Sequence, residues 1–242
     1  MNGSLHSFDL STGVDGPGTR FVAFLAGCPL RCLYCHSPDT WRRATGTITT
    51  VDQLMTEIGK YERFITVAGG GVTISGGEPL EQPDFVQAVF QRCHEHGLHT
   101  ALDTSGFLGD RADDTLLANT DLVLLDIKAG DPDTYRRVTR TGRLEPTLKF
   151  AHRLAERGIP MWIRFVLVPG LTDTSETVAA VADIVAGLST VERVEVLPFH
   201  RLGIVKYEAL NLDFALVDTP TPDPEVLERV RGQFRDRALA VY

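Results

Sequence analysis

Residues 20–36 read RFVAFLAGCPLRCLYCH. The first seven are almost continuously apolar, which predicts a strand buried on both faces, as in a parallel sheet covered by helices. Gly27 ends the run. Cys28, Cys32 and Cys35 follow on a loop with the spacing C-x3-C-x2-C. A buried strand that runs into a chemistry-bearing loop is the unit from which the rest of the chain can be read.

The same unit recurs along the chain. Apolar runs at 72–75, 99–103, 122–127, 161–168 and 191–197 predict five further strands. Helical spacing covers 51–64, 85–96, 116–118, 146–157, 175–188 and 224–237, with a short terminal strand after the last. Strands alternating with helices imply an α/β fold with a parallel sheet. At 242 residues the chain is long for an average domain, but an α/β barrel uses this length as one unit. The expectation is a single domain over 1–242.

Composition narrows the function classes. Apolar residues make up 43% and charged residues 23%, as in an ordinary globular protein. The net charge of −8 argues against nucleic acid as the main partner. The start, MNGSLHSFD, has no basic stretch followed by an apolar one, and no apolar run reaches membrane-spanning length. A cytoplasmic location is expected, where close cysteines signal metal or redox chemistry rather than a structural disulfide.

Three thiolates on one loop can each take one iron of a cubane cluster and leave its fourth iron open. Zinc, with His36 as a fourth ligand, and unliganded thiols remain the alternatives; zinc spacings usually form two separated pairs, and no second pair exists. Ser75-Gly76-Gly77-Glu78-Pro79 ends the second strand; it reads as a tight turn or as a backbone able to approach a ligand closely. Further polar residues end later strands: Asp103-Thr104, Asp126-Ile127-Lys128, Arg164 with Val166, and His200-Arg201-Leu202-Gly203. In parallel α/β barrels the loops at carboxyl strand ends converge on one mouth, so these residues are expected to share one site.

Other features read as structure. Cys93 lies on the apolar side of a helix and is expected to be a buried small hydrophobe. His94, His96 and His99 do not share a face and are not expected to bind metal. Arg136, Arg137, Arg140 and Arg143 read as a solvated basic surface, with docking of an acidic electron donor as the sharper alternative.

The cysteine loop, with Tyr34 before its third cysteine, and the Gly-Gly-Glu-Pro turn together resemble the radical S-adenosylmethionine (SAM) superfamily. Val14-Asp15-Gly16-Pro17-Gly18-Thr19-Arg20 ahead of the loop, Asp39-Thr40-Trp41 after it, and the stretches 100–107, 121–128, 162–170 and 200–207 resemble the activating enzymes of glycyl radical enzymes. The pattern is nearest to activators whose partner is pyruvate formate-lyase (formate C-acetyltransferase).

The resemblance implies a partial (β/α)6 TIM-like barrel with parallel strands and outer helices. It implies a [4Fe–4S] cluster on Cys28, Cys32 and Cys35. The SAM pocket would be lined by Tyr34, Cys35, His36, Gly76, Gly77, Glu78, Asp126, Ile127, Lys128, Arg164, Val166 and His200. A monovalent cation would sit on Asp103, Thr104 and Asp126. Asp15, Gly16, Gly18, Arg20, His200, Leu202 and Gly203 would bind the partner's loop. No catalytic side chain is expected beyond cluster and SAM. The implied partners are the glycyl radical enzyme and an electron donor such as flavodoxin or ferredoxin, with no nucleic acid and no membrane, and the chain as a monomer. Two alternatives stay within radical SAM chemistry: an activator of another glycyl radical enzyme, such as anaerobic ribonucleotide reductase, and a small-molecule enzyme. A zinc-stabilised binding module is the alternative from another class. One departure is Asn211, where the pattern leads one to expect Gly.

Overall fold

The computed structural model describes residues 1–242. They form two compact units. The first comprises Met1–Cys28, Thr40–Thr104 and Leu108–Leu124; the second comprises Pro29–Asp39, Ser105–Phe107 and Leu125–Tyr242. The fold is α/β with mostly parallel strands.

The first unit holds β1 (Asn2–Thr12), β2 (Thr19–Leu25), β3 (Thr47–Thr50), α1 (Val51–Gly59), α2 (Glu62–Val67), β4 (Gly71–Gly76), α3 (Pro83–Glu95), β5 (His99–Thr104) and α4 (Asp114–Ala118). Its strands run in the order β3-β1-β2-β4-β5. β2, β4 and β5 are parallel, whereas β1 pairs antiparallel with both β2 and β3. The core is built from Phe21, Val22, Ala23 and Leu25 of β2 and from Phe85, Val86, Val89, Phe90 and Cys93 of α3, all at most 2% exposed. Burying each of the larger side chains contributes about 1.5–3 kcal/mol. Cys93 is thus a core residue, its thiol pushed up to about 12 by burial.

The chain passes into the second unit within β6 (Leu122–Asp126). That unit continues with α5 (Pro132–Thr139), α6 (Leu144–Glu156), β7 (Met161–Leu167), α7 (Ser175–Ala186), β8 (Val191–Pro198), α8 (Ile204–Ala209) and α9 (Pro224–Arg235). β7 and β8 are parallel. Ile163, Phe165 and Leu167 of β7 are fully buried, and Phe165 meets Phe234 of α9 at 5.9 Å between ring centroids. The terminal strand is a single bridge, Val194 with Val241, fastened by hydrogen bonds from Val194 to Ala240 and from Tyr242 to Val194.

β2, β4, β5, β6, β7 and β8 stand where the apolar runs predicted six strands. The helix expected over 51–64 is instead two. Thr50 and Gln53 cap α1 reciprocally, and the helix ends at Gly59, a poor helix former, so that both Ile58 and Ile65 reach full burial. Asn211 lies at φ 52°. Left-handed backbone favours glycine and tolerates asparagine, which accounts for the departure there. No helix is long and apolar enough to cross a membrane.

Candidate functional site

In the first unit, the carboxyl ends of β2 and β4 are locked together. The Gly77 N–H donates to Leu25 O and the Glu78 N–H to Gly27 O, both at 2.8 Å; the Gly27 N–H donates to Thr40 O at 2.7 Å and the Cys28 N–H to Trp41 O at 3.2 Å. Gly76 has φ 118°, a conformation that L side chains rarely adopt. A Cβ on Gly77 would overlap the carbonyl oxygen of Gly27. Both glycines therefore have a steric reason, and the turn they form is fixed against the start of the cysteine loop. Glu78 is fully buried and accepts from the Thr104 hydroxyl at 2.6 Å and from the Leu80 N–H at 3.2 Å. Asp103 accepts from the Ser75 hydroxyl at 2.6 Å.

The Asp15–Arg20 segment lies at the opposite ends of these strands. Arg20 pairs in register with Gly71 at the start of β4, while Gly76 ends that strand; five residues of strand span about 17 Å. Arg20 is fully buried. Its guanidinium donates to Thr73 Oγ1 at 2.6 Å, Val72 O at 2.7 Å, and His99 O and Pro17 O at 3.3 Å. Burial lowers its pKa to about 10, against the pull of Asp121 and Asp15. Arg20 is thus a structural brace and has no surface with which to touch a partner's loop, contrary to its expected role. Thr73 in turn donates to Asp15 O at 2.7 Å, and a Cβ on Gly18 would overlap Gly69, so this turn is shaped by close packing.

In the second unit, the cysteine loop hangs on the end of α5. The Arg31 N–H donates to Thr139 O at 3.0 Å, the Leu33 N–H to Val138 O at 2.9 Å, and the Thr141 hydroxyl to Pro29 O at 2.9 Å. Val138 O and Thr139 O are among α5's terminal carbonyls, which lack partners within the helix. Burial raises the Cys32 thiol to about 11, with the Lys128 ammonium opposing it. Lys128 is 7% exposed and pairs with Asp126 at 2.9 Å. Burial works against its charge, but Asp126, Tyr34 and Cys32 together outweigh that, and its pKa stands well above the usual lysine value. Its ammonium lies 5.6 Å from the centroid of the Tyr34 ring. The Tyr34 hydroxyl is buried and makes no hydrogen bond.

The His200–Gly203 segment packs on the residue after the last cysteine. The His36 and His200 rings meet edge-on, 5.1 Å apart at 84°. A Cβ on Gly203 would stand 3.1 Å from His36 O. Lys206 pairs with Asp39 at 3.1 Å. Burial lowers the His36 pKa, with His200 and Lys206 adding to it. Arg164 donates from Nε to Glu195 at 3.2 Å, and the Ile127 N–H donates to Arg164 O at 3.1 Å. Val166 is half-buried, and its carbonyl accepts from Thr172. In the sequence Ser75 and Asp39 read only as members of motifs and Glu195 is not singled out; the role of each depends on a partner distant in sequence.

The three histidines at 94–99 have separate partners: His94 with Asp121 at 3.0 Å, His96 with Glu62 at 3.2 Å, and His99 with Arg20 at 3.2 Å. Arg136, Arg140 and Arg143 are exposed, while Arg137 donates to Gly170 O and Leu171 O.

None of the four cysteines is in a disulfide, and Cys28, Cys32 and Cys35 are half-buried. No three His, Cys, Asp or Glu side chains gather where one ion would sit. The donor set of three soft thiols on one loop, none in a disulfide, fits an iron–sulfur cluster, whose irons each take a separate thiolate.

The chain belongs to the radical SAM superfamily: the family model of that description matches residues 22–182. It is 43% identical to the pyruvate formate-lyase-activating enzyme of Clostridium pasteurianum, over 97% of this chain and 98% of that one. It is 41% identical to the pyruvate formate-lyase 1-activating enzyme of Escherichia coli K12, over 95% of this chain and 94% of that one. Likeness of this extent places it among the pyruvate formate-lyase-activating enzymes. Among solved structures, a domain of pyruvate-formate lyase-activating enzyme from Bacteroides vulgatus matches with a TM-score of 0.60 and 28% identity, over 72% of this chain and 98% of that one. A radical SAM methyltransferase from Sphaerobacter thermophilus matches with a TM-score of 0.67 and 17% identity, over 96% of this chain and 71% of that one, which speaks for the fold alone.

Proposed function

We propose that this enzyme installs a glycyl radical on pyruvate formate-lyase under anaerobic conditions. The observation that carries the reading is the C-x3-C-x2-C loop, whose three cysteines are in no disulfide, in a chain 43% identical to an activating enzyme over nearly its whole length. A [4Fe–4S] cluster on Cys28, Cys32 and Cys35, with SAM on its open iron, would supply reductive sulfonium cleavage and a deoxyadenosyl radical that takes a hydrogen atom from the partner's glycine.

The chain's own residues bind and orient. Lys128, kept charged by Asp126, offers a fixed cation to a carboxylate. The glycine turn of Gly76 and Gly77, with Glu78, offers backbone and charge to an amino group. Tyr34, His36, Ile127, Arg164, Val166 and His200 would add contacts to SAM. Asp103, Thr104 and Asp126 offer hard oxygens to a monovalent cation. Leu202, 73% exposed, and Gly203 offer a surface to the partner's loop. The electron comes from an external donor such as flavodoxin or ferredoxin. The protein works as a cytoplasmic monomer and as one domain; the family match from 22 to 182, which runs through both units, supports the single domain.

Metal analysis and paramagnetic resonance test this. Anaerobically purified protein is expected to hold about four irons per chain and to absorb near roughly 400 nm. Cys32→Ala is expected to lose iron and SAM cleavage. With pyruvate formate-lyase, SAM and reductant, a glycyl radical signal is expected. Stoichiometric zinc without iron would overturn the radical reading. A signal with another glycyl radical enzyme and none with pyruvate formate-lyase would overturn the partner.

A further inference from the structure

β7 and β8 face each other in register, Trp162 with Arg193, Arg164 with Glu195 and Val166 with Leu197. Side chains alternate along a strand, so these six lie on one face, and the fully buried Ile163, Phe165 and Val194 point to the other. That first face carries a ladder of charge. The Glu195 carboxylate, 8% exposed, accepts from Arg164 Nε at 3.2 Å on one oxygen and from Arg193 Nη2 at 2.5 Å on the other. Arg193 is itself fixed: its guanidinium carbon lies 3.2 Å from the centroid of the Trp162 ring and 4.9 Å from that of Tyr242. Trp162 is held by a hydrogen bond from Nε1 to Glu192 at 2.9 Å.

A buried carboxylate costs free energy unless it is paired. Here the pairing also has a direction. Arg193, wedged against two aromatic rings, anchors one oxygen, so the other stays where it fixes the plane of the Arg164 guanidinium. We propose that Glu195 is a positioning residue that holds Arg164 in the orientation in which it contacts SAM. The inference rests on the reading of Arg164 as a SAM contact.

The test measures SAM affinity of the anaerobically reconstituted holoenzyme by calorimetry, with iron content and thermal unfolding recorded for each variant. Arg164→Lys, Glu195→Gln, Glu195→Asp and the double variant Arg164→Lys/Glu195→Gln are compared. Glu195→Gln is expected to weaken SAM binding about tenfold, the loss usual when a supporting hydrogen-bond partner is removed, at unchanged iron content. Glu195→Asp, which keeps the charge on a shorter arm, is expected to fall between Glu195→Gln and the parent. The double variant should bind no more weakly than Arg164→Lys alone, because the carboxylate acts through that guanidinium. Full affinity in Glu195→Gln beside weakened Arg164→Lys overturns the positioning role alone. Full affinity in Arg164→Lys overturns the reading beneath it. Additive losses in the double variant, or failure of both Glu195 variants to fold, make Glu195 a purely structural residue and also overturn the proposal.

Discussion

The Thr104 hydroxyl donates to the buried carboxylate of Glu78 at 2.6 Å. The two residues end adjacent strands or begin the turn after one, and the bond ties the glycine turn of β4 to the end of β5. Removing one donor from a buried charged acceptor costs about 1–3 kcal/mol. Thr104→Val is therefore expected to lower the unfolding free energy by that amount, while Thr104→Ser, which keeps the hydroxyl, stays near the parent. Guanidinium denaturation of the two variants checks it; equal stability would show that the bond contributes nothing net.

Arg20 gives a prediction that separates structure from partner recognition. It is fully buried and donates to two carbonyls and a hydroxyl of β4 and β5 residues. Arg20→Met leaves these acceptors unpaired and is expected to cost about 3–5 kcal/mol, the range for breaking a buried charged network. Thermal unfolding should fall accordingly, while the folded fraction keeps the parent KM for the partner protein. A raised KM at unchanged stability would restore the loop-binding role.

Arg20 also shows where reading the sequence stops. The strands β2 and β4 to β8 were legible because buried strands are continuous apolar runs. β1 was not, because NGSLHSFDLST mixes polar with apolar residues and pairs antiparallel at the flank of the parallel strands. α5 was missed because only Tyr135, Val138 and Thr139 of its eight residues are buried, although Asp131 followed by Pro132 was an available start signal. The cysteine loop and the glycine turn were legible because chemistry and backbone geometry demand specific residue types at fixed spacing. Arginines beside such motifs look alike in sequence: Arg20 proved a brace, and Arg164 proved to be one of two guanidiniums on the same carboxylate. Which role an arginine takes depends on partners 30 to 80 positions away, such as Glu195 or His99.

Gly203 tests how the His200–Gly203 segment rests on the cysteine loop. Its φ of −75° suits any residue, so only contact restricts it. A methyl group would stand 3.1 Å from His36 O and 3.3 Å from the ring carbon Cδ2, a crowding expected to cost about 1 kcal/mol or to lift the segment away. Lifting it moves His200 and Lys206 off His36 and returns ring surface to water, reversing the causes that lower the His36 pKa. In Gly203→Ala the His36 pKa is therefore expected to rise toward the ordinary histidine value. Proton resonances of the imidazole, followed through a pH titration of the iron-free protein, give the answer; an unchanged or lower value would mean that the segment stays in place.

The last prediction concerns acid stability. Burial lowers the His99 pKa, with Arg20 adding to it and Asp121 opposing. A histidine whose folded pKa lies below its unfolded value of about 6.5 takes up protons more readily in the unfolded chain. Its contribution is present above pH 6.5 and is lost as pH falls through the folded value. His36, also lowered, acts with the same sign in the same window. Asp121 is lowered as well, since its bonds from Thr100 and His94 outweigh the effect of burial, and its contribution disappears only further down, below the usual aspartate range. Stability should therefore decline in two stages, first from about pH 7 to 5 with the histidines and then below about pH 4 with Asp121. His99→Asn removes one of the two histidine contributions, so denaturant midpoints recorded across pH should show a shallower first stage and an intact second one. A first stage as steep as in the parent would mean that His99 takes up its proton equally well in the folded and unfolded chains.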